Sequence, residues 1–256
     1  MLEKQVDLET CRISYWEGGL ASASNPILFL PGWSVSVETY LESLKALSQH
    51  YLVIAPDLPG FCKSTSPGTL QDYDDYATCI IAFLEKLNRK KVHVIGHSIG
   101  GAIAATIAAS KPSMISSLIL VDSTGIPLGS MPSVLLRRLP ELPAQIGSIK
   151  FKPIIKMWQS SFYNNLFNTQ NVIQTAWLSL AEDIRPLLPK IESRSLILWG
   201  ENDLFIPLKL GQELARGIKN SRLIVVEGEY HEWSMFCPDK FAPIICDFID
   251  EVEALR

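Results

Sequence analysis

The stretch Val-His-Val-Ile-Gly-His-Ser-Ile-Gly-Gly-Ala-Ile-Ala-Ala-Thr-Ile-Ala, residues 92–108, decides how the chain is read. An apolar run of strand character ends at Gly96, and a run of small residues of helical character begins just after Ser98. A strand that turns this sharply into a helix holds the residue at the junction in a strained conformation. Strand and helix can approach only if the positions two before and two after are small. Gly96 and Gly100 meet that requirement, and Gly101 lets the helix pack close. The turn lifts the Ser98 hydroxyl clear of the sheet edge and places the Ile99 N–H at a helix N-terminus, where a developing oxyanion is favoured. Neither GxGxxG nor GxxxxGK[ST] is present, so a phosphate loop is the weaker reading.

Outward from this junction the same rhythm repeats. Residues 27–32, 51–60, 91–96, 116–123, 194–200 and 221–228 are short, almost continuous apolar runs. That is the pattern of parallel strands covered on both faces. A leading pair of strands is expected at VDLET and RISYW. Tyr76, Cys79, Ile80, Phe83, Leu84 and Leu87 recur at the helical period, with Asp72 as a candidate cap, and Phe241 to Ile249 repeat the pattern. The expectation is an α/β fold with a doubly wound, mostly parallel sheet. Residues 124–190 break the rhythm: no strand-like run, many prolines and many large apolar residues. They are expected to form a helical cap inserted between two halves of the core, 1–123 and 191–256.

Composition bounds the function. The 256 residues are 47% hydrophobic with a net charge of −4, which suits one globular domain and offers no footprint for nucleic acid. The five cysteines are scattered without a CxxC pair, so neither zinc nor a disulfide framework is suggested. Reduced thiols, a charged N-terminus and no apolar run near ~18 residues lead to the expectation of a cytoplasmic protein with no membrane span.

The chain resembles the α/β-hydrolase family along essentially its whole length, with the motifs in family order. GHSIG matches the nucleophile elbow, and LILWGENDLFIP resembles the WGxxDxxxP signature with Pro207 in register. A histidine lies after the last strand in VVEGEYHEW. The resemblance implies a triad of Ser98 as nucleophile, His231 as base and Asp203 as the carboxylate that orients the base. His50 ends a helix, His93 lies within a strand, and the elbow should turn His97 away from Ser98. Asp122, at the end of SSLILVDS, is a rival acid; Glu201 is expected to face solvent or pack locally. The second oxyanion donor is expected at the Trp33 N–H, beside that of Ile99. Pro31 stands where the family usually has histidine. DLPGFCKS resembles a structural turn with Cys62 replacing a glycine, so Asp57 is given no catalytic role.

No cofactor or metal is called for by this chemistry. A serine nucleophile argues against dehalogenase and epoxide-hydrolase chemistry, where aspartate takes the elbow. Cleavage of a small-molecule carboxylic ester is the first expectation, with Trp158 and Phe162 as apolar pocket walls. The alternatives are C–C bond hydrolysis, thioester cleavage or perhydrolysis by the same triad, and a non-catalytic binding protein on this fold. Arg137, Arg138, Lys150, Lys152 and Lys156 crowd the start of the insertion. They could meet an acidic carrier protein, as in the pimeloyl-carrier-protein methyl ester esterases that the chain somewhat resembles.

Overall fold

A computed structural model describes residues 1–20, 25–66, 68, 70–140 and 151–255, with only the backbone of Phe151 and Lys152. Its centre is an eight-stranded sheet in the order β1-β2-β4-β3-β5-β6-β7-β8. The strands are β1 (Leu2–Asp7), β2 (Arg12–Gly18), β3 (Ile27–Leu30), β4 (Val53–Pro56), β5 (Val92–His97), β6 (Ile115–Val121), β7 (Arg194–Gly200) and β8 (Ser221–Val226). β1, β2 and β4 pair antiparallel, and every later pairing is parallel. All residues of β3, β4, β5 and β6 are buried, as their apolar runs require. β8 differs from the expected fully covered strand. It is the sheet edge, so Arg222 and Val225 are exposed.

Helices cover both faces. Ten residues of α3 (Ile99–Ser110) are buried between the sheet and α2 (Tyr73–Lys86), which its small side chains allow. The Asp72 side chain accepts from the Asp75 N–H at 2.9 Å and caps α2 as its sequence position suggested. On the other face α1 (Leu41–Leu47) packs against the C-terminal helix. That helix buries Phe241, Ile245, Phe248 and Ile249, each worth about 1.5–3 kcal/mol.

Between β6 and β7 the described residues form α4 (Met131–Arg138), α5 (Phe151–Phe167) and α6 (Thr169–Ala181). Side chains of this insertion are bonded to the backbone of the core. Fully buried Asn164 accepts from the Cys62 N–H at 2.7 Å and donates to the Ser34 carbonyl at 3.1 Å. Asn171 donates to the Gly60 carbonyl at 2.9 Å. Cys62 has φ of +52°, which explains why glycine is the expected residue there and marks the cysteine as a strained replacement. Asp57 is buried and accepts from the Val37 N–H at 2.9 Å and the Ser36 hydroxyl at 3.0 Å, a structural role as expected. Along the rest of the chain follow α7 (Leu208–Gly217), α8 (Trp233–Phe236) and α9 (Pro238–Glu253), the C-terminal helix described above.

Candidate active site

Ser98 sits between β5 and α3 with φ of +54° and ψ of −121°. Its strain is held by bonds on both sides: its N–H donates to the Val121 carbonyl, and its own carbonyl accepts from the Gly101 and Thr124 N–H groups. The glycines do what the sequence suggested. A Cβ on Gly96 would lie 2.2 Å from the Gly100 carbonyl oxygen, and one on Gly100 would lie 2.4 Å from the Leu30 carbonyl oxygen. Ile99 opens α3, so its N–H belongs to the first turn, where no helical acceptor exists.

Of the four histidines, only His231 meets Asp203. Its Nδ1 stands 2.8 Å from Asp203 Oδ2. Because the carboxylate can only accept, Nδ1 carries the proton and Nε2 is left as the basic nitrogen. Asp203 Oδ1 accepts from the Ile206 N–H at 2.7 Å, which fixes the carboxylate plane. Burial pushes the His231 pKa down to about 3, so the ring is neutral around neutral pH. Ser98, His231 and Trp33 line one cavity of about 280 Å³, together with Met157, Trp158 and Phe205. The structure thus brings the three expected triad positions into one region and lays Phe205 edge-on to the His231 ring, centroids 4.8 Å apart.

The other histidines are accounted for. His50 is exposed beyond α1, and His93 faces Ser117 and Glu253. His97 is buried, and its ring lies 4.9 Å from that of His231. Its Nε2 is 3.0 Å from the His231 carbonyl, which can only accept, so Nε2 bears the proton. Nδ1 must then accept, and the Tyr40 hydroxyl donates to it at 2.7 Å. Tyr40 Oη in turn accepts from the Gly32 N–H at 2.9 Å. One chain of bonds therefore links the loop after β3, the elbow and the His231 loop. Burial, followed by the neighbouring His231, holds the His97 pKa well below its ordinary value, in keeping with a neutral tautomer.

Asp122 is the residue whose role the sequence left open. It is fully buried at the end of β6 with φ of +43°. Oδ1 accepts from the Gly200 N–H at 2.7 Å, and Oδ2 accepts from Trp233 Nε1 at 2.7 Å. Gly200 precedes Asp203 by three positions and Trp233 follows His231 by two, so one carboxyl ties together the two loops that carry them. It does not touch His231, so the rival assignment as the histidine's acid is corrected to a clamp. Burial, then the charge of Asp203, raises the Asp122 pKa well above its ordinary value. Asp203 is also raised by burial, but Ile206, Arg138, Phe205 and Asp122 all oppose that rise. The pair therefore keeps its proton on Asp122 and its charge on Asp203.

Two pocket expectations divide. Trp158 lines the cavity, whereas Phe162 is corrected: it is 72% exposed on the outer side of α5, away from the cavity wall. The cavity wall instead takes Phe205 and Arg138, which periodicity could not single out. Arg138 lies over the Phe205 ring, 5.3 Å from its centroid, and pairs with Glu232. Trp33 adds a tether, its indole N–H donating to the Val172 carbonyl of α6 at 3.0 Å. Of the expected basic group, Lys156 pairs with Glu38 at 2.7 Å; Lys150 and the Lys152 side chain lie outside the described residues. Glu201 packs locally, accepting from the Gly228 N–H at 2.9 Å. Among the described residues no His, Cys, Asp and Glu cluster could hold a metal ion, and no helix is long and apolar enough to cross a membrane.

A family model for the alpha/beta hydrolase fold matches residues 25–147, from just before β3 through the elbow and β6 into the insertion. The chain belongs to the α/β-hydrolase family. As a hydrolase it has relatives of more than one chemistry. Mouse monoacylglycerol lipase ABHD6 is 29% identical over 260 residues, 88% of this chain and 76% of the relative. The 2-hydroxy-6-oxononadienedioate/2-hydroxy-6-oxononatrienedioate hydrolase 1 of Pseudomonas putida is 29% identical over 224 residues, 78% of this chain and 77% of the relative. Among solved structures, a membrane phospholipase A, a bacterial virulence factor, superposes with a TM-score of 0.82 at 26% identity, covering 98% of this hydrolase and 86% of that chain.

Proposed function

We propose that this hydrolase cleaves carboxylic esters through an acyl-enzyme on Ser98. The observation that carries the reading is the 2.8 Å contact between His231 Nδ1 and Asp203, opening on the same cavity as a strained serine at a strand–helix junction. His231 Nε2 takes the Ser98 proton as the hydroxyl attacks the acyl carbonyl. The N–H groups of Ile99 and Trp33 receive the oxyanion, and Asp203 stabilises the imidazolium. His231 then protonates the leaving alkoxide, and a water activated by the same nitrogen frees the acid. The inserted helices act as a cap whose residues Met157 and Trp158 form the apolar side of the acyl pocket.

The Pseudomonas relative supports a second reading, C–C bond hydrolysis with the same triad. Its named substrates are dicarboxylates, which call for a free cation in the pocket. Here the cavity's Arg138 is already paired with Glu232, and that favours an uncharged ester. A fluorophosphonate probe is expected to label the wild type and leave Ser98→Ala unlabelled. A series of p-nitrophenyl esters of increasing chain length, run beside a vinylogous 1,5-diketone, decides between the two chemistries. Diketone cleavage with negligible ester turnover overturns the ester reading.

A further inference from the structure

α5 and α6 are half-covered helices. The inner face of α5 sets Ser160 and Asn164 against the core. Its outer face carries Ile155, Trp158, Phe162 and Leu166, three or four residues apart and so in one line along the helix. Of these, Trp158 is 67% and Phe162 72% exposed. α6 also exposes Ile173 and Trp177, one turn apart, with Trp177 62% exposed. A single exposed leucine needs no explanation, but exposed aromatic and aliphatic residues repeated along one face of each of two neighbouring helices do.

Charge indicates what covers it. Residues 142–181 contain three lysines and no aspartate, glutamate or arginine, although the whole chain carries a net charge of −4. Even with Lys156 paired to Glu38, the segment keeps a positive excess. A second copy meeting it through the same segment would bring no negative charge to answer that excess. A surface that is apolar at its centre and negative at its boundary fits both parts. Tryptophan and phenylalanine on one helix face, in a segment whose only charged residues are lysines, are the composition of helices that lie in a lipid interface. The stripe also reaches the cavity, because Trp158 belongs to both.

We propose that the outer face of α5 and α6 docks onto an anionic phospholipid surface and so opens the Ser98 cavity toward it. Docking stands apart from the ester reading; only the passage of a lipid ester from that surface to Ser98 rests on it.

The test is co-sedimentation of full-length Ser98→Ala protein, which cannot turn over lipid, with vesicles of phosphatidylcholine alone or mixed with phosphatidylglycerol. The mixed vesicles should be bound more tightly, with the difference shrinking as salt rises. Phe162→Ser and Trp177→Ser should each weaken vesicle binding about tenfold, as expected for losing one buried aromatic. Both should leave the circular dichroism spectrum and the hydrolysis of a short soluble ester unchanged. If either variant fails to fold, Leu166→Ser and Ile173→Ser take its place. Absence of sedimentation, or unchanged sedimentation in these variants, overturns the proposal. So does a dimer in size-exclusion chromatography that Phe162→Ser dissociates, since the face would then serve a second copy. Equal binding to both vesicle types overturns the anionic assignment. Vesicle binding by Ser98→Ala, together with failure of the fluorophosphonate probe to label the wild type, would sink the ester reading and leave docking intact.

Discussion

Replacing Asp122 with alanine tests the clamp between the two loops of the site. The carboxyl accepts one N–H from Gly200 and one from Trp233, both buried. Alanine leaves two donors without a partner where no water reaches, at about 1–3 kcal/mol each. It must also hold φ of +43°, which aspartate and asparagine tolerate better than alanine. Removing a buried carboxyl that faces Asp203 returns part of this cost, so the net loss is about 2–4 kcal/mol. The urea midpoint reads it directly. Turnover of a p-nitrophenyl ester should fall about a hundredfold, because Asp203 and His231 sit within three residues of the freed anchors and small misplacements are amplified in rate. An asparagine side chain offers one acceptor and keeps the backbone preference, so Asp122→Asn should lose about half as much stability. A midpoint within about 0.5 kcal/mol of wild type for Asp122→Ala, with turnover retained, would refute the clamp.

Asp122→Asn also carries a pH signature. The folded-state pKa of Asp122 is raised, so its contribution is fully present below the ordinary value of 3.8 and is lost as the pH climbs toward the folded value. Wild-type stability should therefore fall more steeply between mildly acidic and alkaline pH than that of Asp122→Asn, as urea midpoints across that range will show. Asp203→Asn should lower kcat by about 10³–10⁴, since asparagine can donate to Nδ1 and impose the wrong tautomer, measured on a short p-nitrophenyl ester. Tyr40→Phe removes both the donor to His97 and the acceptor for Gly32, and should cost about 1–3 kcal/mol in a urea titration. Asn164→Ala strands the Cys62 N–H and the Ser34 carbonyl; faster limited proteolysis between residues 131 and 181 should accompany a stability loss of about 2 kcal/mol.

Much of the core was legible because parallel strands must be apolar on both faces, and that leaves a run in the sequence at each of β3 to β7. The elbow was legible because a Cβ at Gly96 would meet the start of α3 and one at Gly100 would meet the end of β3, so glycine is forced at both. β8 misled because an edge strand can be apolar without being covered. The clamp at Asp122 and the Tyr40–His97 link depend on side chains meeting across 57 to 111 positions, and no local period records such meetings. Phe162 misled for a related reason. Burial sorts helix residues by face, and a helix apolar on both sides does not say which side looks inward.

The indole of Trp33 has a consequence for how substrate gets in. Its backbone lies in the loop after β3, and its ring holds the main chain of α6 at Val172. Any outward swing of α6 must release that ring and slacken the loop behind it. On the proposed mechanism, in which the Trp33 amide receives the oxyanion, a substrate that entered by such a swing would find that donor slack until the indole had seated on Val172 again.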